Sequence, residues 1–237
     1  MNRDILFITG VSSGIGLACA RFFLDQGYKV YGIGRSNSIT HENYQFLLLD
    51  LSDNEAISRF RFSDEDGEKY VLINNAGVIG EICPFWEADL SNMQQVIQVN
   101  FVALTELTQR FIQSVPSGII LNISSGAGQR PVKGWSAYCA SKAAVNLFSE
   151  TLADEFEHYN QPFTIKSVAP GVVDTNMQTT IRKATKNEFP DRADFHHLYE
   201  SQQLDAPEVT AQKLYYLLTH LDTYPATLLS LRSIELY

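Results

Sequence analysis

Cysteine is scarce in this 237-residue chain: three residues, Cys19, Cys83 and Cys139, an odd number without metal-ligand spacing. That argues against a disulfide-built scaffold, implies no metal site, and suits a reducing, cytoplasmic compartment. Basic residues are also short. Eighteen Lys and Arg stand against 27 Asp and Glu, a formal charge of -9. No basic cluster is present to follow a phosphate backbone, so a nucleic-acid partner is not expected. No apolar run approaches the ~18 residues of a membrane span, so no membrane partner is expected either. The opening Met1-Asn2-Arg3-Asp4 leads straight into a short apolar run, without the pattern of a signal peptide. Internal repeats and low-complexity segments are missing too. What is there is 45% hydrophobic residues over a chain of single-domain size, enough for a substantial core.

Residues 5–9, Ile-Leu-Phe-Ile-Thr, have the length and composition of a buried parallel strand. Thr9-Gly10-Val11-Ser12-Ser13-Gly14-Ile15-Gly16 follows at once, and 17–26 carries helical periodicity closed by Gly27 at a C-cap. Strand, glycine turn and helix, in that order, are the setting in which a dinucleotide's pyrophosphate rests on a helix N-terminus. Gly10 would let the chain turn, Gly14 would let the backbone approach a phosphate, and Gly16 would let helix and strand pack closely. A purely structural turn is the bland alternative. Further strands are expected at 29–33, 44–49, 70–74, 118–124 and 163–169, with an edge strand at 227–231. Between them fall a short helix started by Ser52-Asp53-Asn54-Glu55, a long helix over 93–115 containing Asn100, a helix from Ser136 as N-cap to about His158, and one over 207–220. The alternation predicts a single-domain, Rossmann-like α/β fold over 1–237: a doubly wound parallel sheet with helices on both faces. Such a sheet binds ligands beyond the strand C-termini, where the glycine loop, Asn75 and Ser125 all fall. The mixed, polar stretch 174–206 lies beyond those ends as well and is expected to form a substrate lid with one or two short helices.

About twenty residues past its glycines, an NAD-binding chain places an acid for the ribose hydroxyls; this one has Gly34-Arg35-Ser36. No acid there repels a phosphate and Arg35 offers a planar fork that matches one, so NADP(H) is the expected cofactor. An ordinary surface arginine is the alternative. Tyr138 and Lys142 stand four residues apart, ~6 Å along a helix and on nearly the same face. A free phenol has a pKa of about 10, and a nearby ammonium lowers it, so the pair suits proton handling. A solvated helix face carries the same spacing as readily. Cys139, beside Tyr138, reads as buried filler.

In this order the motifs resemble the short-chain dehydrogenase/reductase family over essentially the whole chain. Thr9-Gly-x-x-x-Gly-Ile-Gly16 looks like its cofactor motif, Asn74-Asn75-Ala76-Gly77 like its sheet-stabilising motif, and Tyr138-x-x-x-Lys142 like its catalytic motif, with Ser125 thirteen residues before Tyr138. Asn122-Ile-Ser-Ser-Gly-Ala-Gly128, Gly134-Trp-Ser-Ala-Tyr-Cys139 and Ala169-Pro-Gly-Val-Val-Asp-Thr-Asn-Met-Gln178 are similar to the sepiapterin reductase and benzil reductase branch, which reduces carbonyls next to another carbonyl with NADPH. The resemblance implies Tyr138 as proton donor to the carbonyl oxygen and Ser125 as hydrogen-bond donor to it. Lys142 would hold the nicotinamide ribose and lower the phenol's pKa; Asn100 would hold a water linking Lys142 to solvent. Gly10, Ser13, Gly14, Ile15 and Gly16 would form the cofactor loop, Ser12, Arg35 and Ser36 would hold the adenosine phosphate, and Asp50 and Leu51 the adenine. Asn75, Ala76, Gly77, Pro170, Gly171, Val173 and Thr175 would lie along the rest of the cofactor.

Trp135 and Met177 would line the substrate pocket with Ser125. The implied partners are a small-molecule carbonyl substrate and further copies of the chain, as a homodimer or homotetramer. That assembly would use the helices carrying Asn100 and Tyr138, where Ala140, Ala143 and Ala144 either allow close helix approach or pack on the sheet. Each role has a plain structural alternative: Ser125 capping a turn, Asn100 bonding its own helix backbone, Trp135 and Met177 packing. Residues 230–237 depart from the branch, having no Asp where sepiapterin reductases anchor the substrate; Glu235 is the nearest carboxylate. The expected activity is NADPH-dependent reduction of a dicarbonyl-type ketone. Within the family the alternatives are a 3-oxoacyl thioester reductase and a steroid or alcohol dehydrogenase; from another class, a non-catalytic NADP(H)-sensing regulator. A serine hydrolase is excluded, because Ser125 is not in Gly-x-Ser-x-Gly and no His is placed by motif.

Overall fold

The computed structural model describes residues 4–236. Met1, Asn2, Arg3 and Tyr237, and with them the expectation drawn from the first residues, lie outside the described residues. Strands β1 (Asp4–Thr9), β2 (Lys29–Gly34), β3 (Tyr44–Leu48), β4 (Lys69–Asn74), β5 (Gly118–Ile123), β6 (Phe163–Ala169) and β7 (Leu228–Ser230) form one sheet in the order β3-β2-β1-β4-β5-β6-β7. Every neighbouring pair is parallel. The order reverses between β1 and β4, which leaves a crevice at their C-terminal ends.

The apolar run of β1 has its cause in the two layers around it. Ile5 and Phe7 enter one buried cluster, with Tyr31, Leu72 and Phe111; Leu6 and Ile8 enter the opposite one, with Phe23, Ile73 and Leu214. Alternate side chains of a strand point to opposite faces, so a strand covered on both needs an apolar residue at each position. Helices α1 (Gly14–Asp25) and α8 (Pro207–Thr219) cover the Leu6 face. The Ile5 face is covered by α2 (Asn54–Arg59), α4 (Ala103–Ser114) and the far end of α5 (Ser136–His158).

Three helix boundaries differ from the expected ones. The helix over 93–115 is interrupted: α3 (Leu90–Ile97) passes through a π-helical turn at Gln98–Val102 before α4 begins. Asn100 sits in that turn, buried, with its carboxamide bonded to another part of the chain. In α5 Ser136 is the first helical residue, and Trp135 occupies the cap position without a side-chain cap bond. α1 begins at Gly14 rather than at 17, because the glycine loop runs directly into its first turn. In α2 the cap is Asp53, whose carboxylate accepts the Ala56 N–H at 3.0 Å. The stretch 174–206 folds into α6 (Asn176–Lys183) and α7 (Arg192–Glu200). These two are tied by Arg182, whose guanidinium lies 4.0 Å from the Tyr199 ring centre and whose carbonyl accepts Arg192 Nε at 3.1 Å. Among the described residues no helix is long and apolar enough to cross a membrane.

Candidate active site

The ends of β1 and β4 are fastened by side chains of the residues that close them. Thr9 Oγ1 accepts the backbone N–H groups of Asn75 and Ala76 at 3.0 and 2.9 Å, and Asn75 Nδ2 donates to the Thr9 and Gly10 carbonyls at 2.9 and 3.3 Å. Asn75 therefore spends its amide nitrogen on the glycine loop. Within that loop Gly10 has φ +77° and Gly14 φ +55°, the left-handed region that glycine enters without cost. A Cβ at Gly16 would sit 2.2 Å from the Gly10 carbonyl oxygen, so no larger residue fits beneath the loop. Above Gly14 lies the Thr175 side chain, 3.0 Å from where a Cβ would be. The loop is a cradle held open by missing side chains at a helix N-terminus, the arrangement that accepts a phosphate.

From the cradle a cavity of about 710 Å³ runs along the strand C-termini, from Arg35 and Asp50 at one end to Trp135 and Phe195 at the other. Of the residues expected at the site, all line it except Gly16 and Asn100, which lie behind its wall. At the first end Arg35 is exposed and makes no salt bridge within 4.0 Å among the described residues. Asp50 does not consume it. Its carboxylate accepts the Ser52 N–H at 2.9 Å and hydroxyl at 2.7 Å, and these bonds, with a smaller contribution from the Arg35 charge, hold it below the usual carboxylate range.

At the other end three groups converge. Ser125 follows β5 and caps a 3₁₀ turn, Gly126–Gly128, by accepting the Ala127 N–H at 3.1 Å, and it lines the cavity together with Tyr138. Lys142 is buried, donates to the Ile123 carbonyl at 2.7 Å and lies 5.8 Å from the Tyr138 ring centre. Burial pulls its pKa down to about 8. The net shift of the phenol is upward: burial pushes Tyr138 up to about 12, against a smaller opposing pull from the Ser125 hydroxyl. A ring sealed in an apolar wall loses more from desolvation of its anion than a distant amine, itself discouraged from ionising, returns.

Asn100 does not bond its own helix. Its Oδ1 accepts the Val78 N–H at 2.8 Å, while Nδ2 donates to the Val78 carbonyl at 2.8 Å and to Ser141 Oγ at 3.0 Å. Ser141 in turn donates to the Tyr138 carbonyl at 2.8 Å. A Cβ at Gly77 would stand 3.4 Å from Asn100 Oδ1 and 3.5 Å from Lys142 Nζ, so glycine there keeps the space between them clear.

The cavity ends in an aromatic wall. Trp135 stacks on Phe189 at 5.2 Å, meets Tyr138 edge-on at 5.7 Å and leans on Phe195 at 5.5 Å. Met177 and Ile181 of α6 belong to the same cluster. Arg130, Gln178, Ile181, Phe195 and Arg232 line the cavity without having been expected there. Ile181 was within reach of pattern reading, being one helical turn after Met177. Arg130 and Arg232 arrive from turns after β5 and β7 that have no periodicity. Glu235 is exposed and does not line the cavity.

A cradle that only glycine permits, at the point where strand order reverses, places the chain among the dinucleotide-binding α/β proteins. Its cavity runs from that cradle along the strand ends, where such proteins bind their cofactor. Comparison with known proteins narrows the class: the short chain dehydrogenase family model matches residues 4–186, and the chain belongs to that family. It is therefore an oxidoreductase acting on CH–OH or C=O groups, for which a nicotinamide cofactor, NAD(P)H, is typical. It is 36% identical over 226 residues to the benzil reductase ((S)-benzoin forming) of Bacillus subtilis, covering 91% of this chain and 93% of that one. With the Bacillus cereus benzil reductase ((S)-benzoin forming) it shares 34% over 233 residues, 90% and 93% of the two chains. Among solved structures, a short chain dehydrogenase/reductase from Saccharomyces cerevisiae matches with a TM-score of 0.84 at 29% identity, over 97% of this chain and 96% of that one.

Proposed function

We propose that this chain is an NADPH-dependent reductase of dicarbonyl-type ketones, with Tyr138 as proton donor. The observation that carries the reading is that Ser125, Tyr138 and the buried Lys142 line one cavity whose far end presents Arg35. The nicotinamide, when bound, supplies hydride. Everything else is work for the protein. Ser125 donates to the substrate oxygen and stabilises the charge that gathers there. Tyr138, neutral at ordinary pH because burial holds its proton, delivers that proton to the same oxygen. The phenolate left behind is stabilised by the Ser125 hydroxyl and the Lys142 ammonium, whose charge is mostly retained below its pKa of about 8. The space kept clear by Gly77, between Lys142 and Asn100, is the route by which a water would restore the proton.

Arg35, with Ser12 and Ser36 beside it, holds the phosphate that distinguishes NADPH from NADH. Residues 174–206 act as the substrate lid: α6 brings Met177 over the cavity, and α7 brings Phe195. The substrate class follows the activity for which the two Bacillus relatives are named. The test is NADPH oxidation with benzil by the wild type and by Tyr138→Phe. The expected loss in kcat is about 10²- to 10⁴-fold, the usual worth of a positioned general acid. A Phe variant that turns over near the wild-type rate removes the proposal.

A further inference from the structure

Gln178 is more than nine-tenths buried, lines the cavity, and its Oε1 has no hydrogen-bond partner among the described residues. A buried amide oxygen left unpaired costs about 1–3 kcal/mol, and folded proteins seldom keep one without a reason. That oxygen is sealed from the cavity, so a bond from this side chain to a ligand there falls to its Nε2 amide, a donor that no hydrogen bond among the described residues consumes. Gln178 lies in the first turn of α6, beside Met177 and three residues before Ile181, both packed with Trp135 and Tyr138 at the aromatic end. The contact of this segment with the glycine loop is made instead by Thr175. The amide therefore belongs to the substrate end of the cavity.

From this geometry we infer that Gln178 is the specificity-determining residue that binds the second oxygen of a vicinal dicarbonyl, while Ser125 and Tyr138 hold the first. The inference rests on reading this cavity as a carbonyl reductase site. The chemistry matches a reaction in which one oxygen function is unchanged and its neighbour is reduced. A carboxamide carries two donors and an acceptor, and turning its last torsion exchanges them. The same side chain thus donates to a carbonyl or accepts from a hydroxyl. Phe195, Met177 and Ile181 offer only apolar contact there, and the other unpartnered polar atom of that wall, Trp135 Nε1, is a donor alone, so Gln178 is the group of α6 able to tell a diketone from a simple ketone.

The experiment uses the full chain with NADPH and compares benzil with deoxybenzoin, which lacks the second oxygen. In Gln178→Leu and Gln178→Met, kcat/KM for benzil is expected to fall about 10- to 100-fold, as when a site built around a hydrogen bond loses it. The inhibition constant of deoxybenzoin against benzil turnover, and KM for NADPH, should stay within about threefold of wild type. The melting temperature without substrate should hold or rise, since an unpaired buried amide has been replaced by an apolar group. Benzil kcat/KM within threefold of wild type would sink the assignment. So would a parallel weakening of deoxybenzoin, or a melting temperature lowered by more than about 5 °C in both variants, which would give the amide a structural role. A wild-type enzyme that oxidises no NADPH with benzil fails the carbonyl reductase reading itself, a result distinct from these.

Discussion

At the scale of single residues, two opposite titrations decide how the site responds to pH. Lys142 has its pKa pulled down to about 8 by burial, from 10.5. Between those values the unfolded chain binds more protons than the folded one, so the Lys142 contribution to stability grows as pH rises from about 8 to 10.5. Its full size is about 3 kcal/mol, at ~1.4 kcal/mol per unit. Urea unfolding of wild type and Lys142→Met at pH 7.5 and 10 tests it: the wild type should gain stability relative to the variant. Tyr138 shifts the other way, up to about 12 from 10.0, so its contribution is full below pH 10 and is lost as pH rises towards 12. In turnover, kcat/KM for ketone reduction should decline above about pH 8, as Lys142 loses the charge that supports the phenolate. A profile flat to pH 10 would remove that role. Arg35→Ala should raise KM for NADPH about 10- to 100-fold, the worth of a charge-assisted phosphate contact, and leave KM for NADH within twofold. Equal effects on the two cofactors would refute the phosphate assignment.

At the scale of elements, the glycine loop and the π-helical turn do different work. Gly16→Ala would drive a Cβ to within 2.2 Å of the Gly10 carbonyl oxygen, a backbone atom that cannot step aside. The expected result is a loss of roughly 1–3 kcal/mol in stability and a weaker cofactor dissociation constant, read by thermal melting and NADPH fluorescence titration. Unchanged melting and binding would mean that the loop is not the rigid cradle described here. The strands, the glycine loop and the Tyr138 helix were legible because their signals are local: a buried strand must be apolar at every position, and a turn with positive φ must use glycine. The interruption at Gln98–Val102 was not legible, because its cause is distant. Asn100 leaves its own helix to bond Val78, 22 residues back in the chain, and Ser141, 41 residues on. Short helices in 174–206 were legible as helices, and Thr175 and Met177 as cavity residues, but Gln178 and Phe195 were not.

At the scale of the whole molecule, one face of α5 is unfinished. Ala140, Ala143 and Leu147 follow helical spacing and are exposed, Leu147 at 67%, while Ala144 is half-buried. A second copy packed on this face, as the family resemblance implies, would cover that stripe. Light scattering at micromolar concentration should give a mass above the 26.6 kDa of one chain, and Leu147→Glu should return it towards the monomer. A wild-type monomer would overturn this. Order of elements, parallel pairing and the glycine cradle followed from the amino-acid sequence alone, because each is dictated by neighbours within a few positions, while the residues of the candidate centre were named by the family resemblance that their motifs carry. The tertiary structure alone decided the rest: the direction of the Tyr138 shift, the partner of Asn100, and the arrival of Gln178, Arg130 and Arg232 at the cavity. Those depend on burial and on contacts across tens of residues, and desolvation is set by what surrounds a group in space, wherever in the chain it comes from.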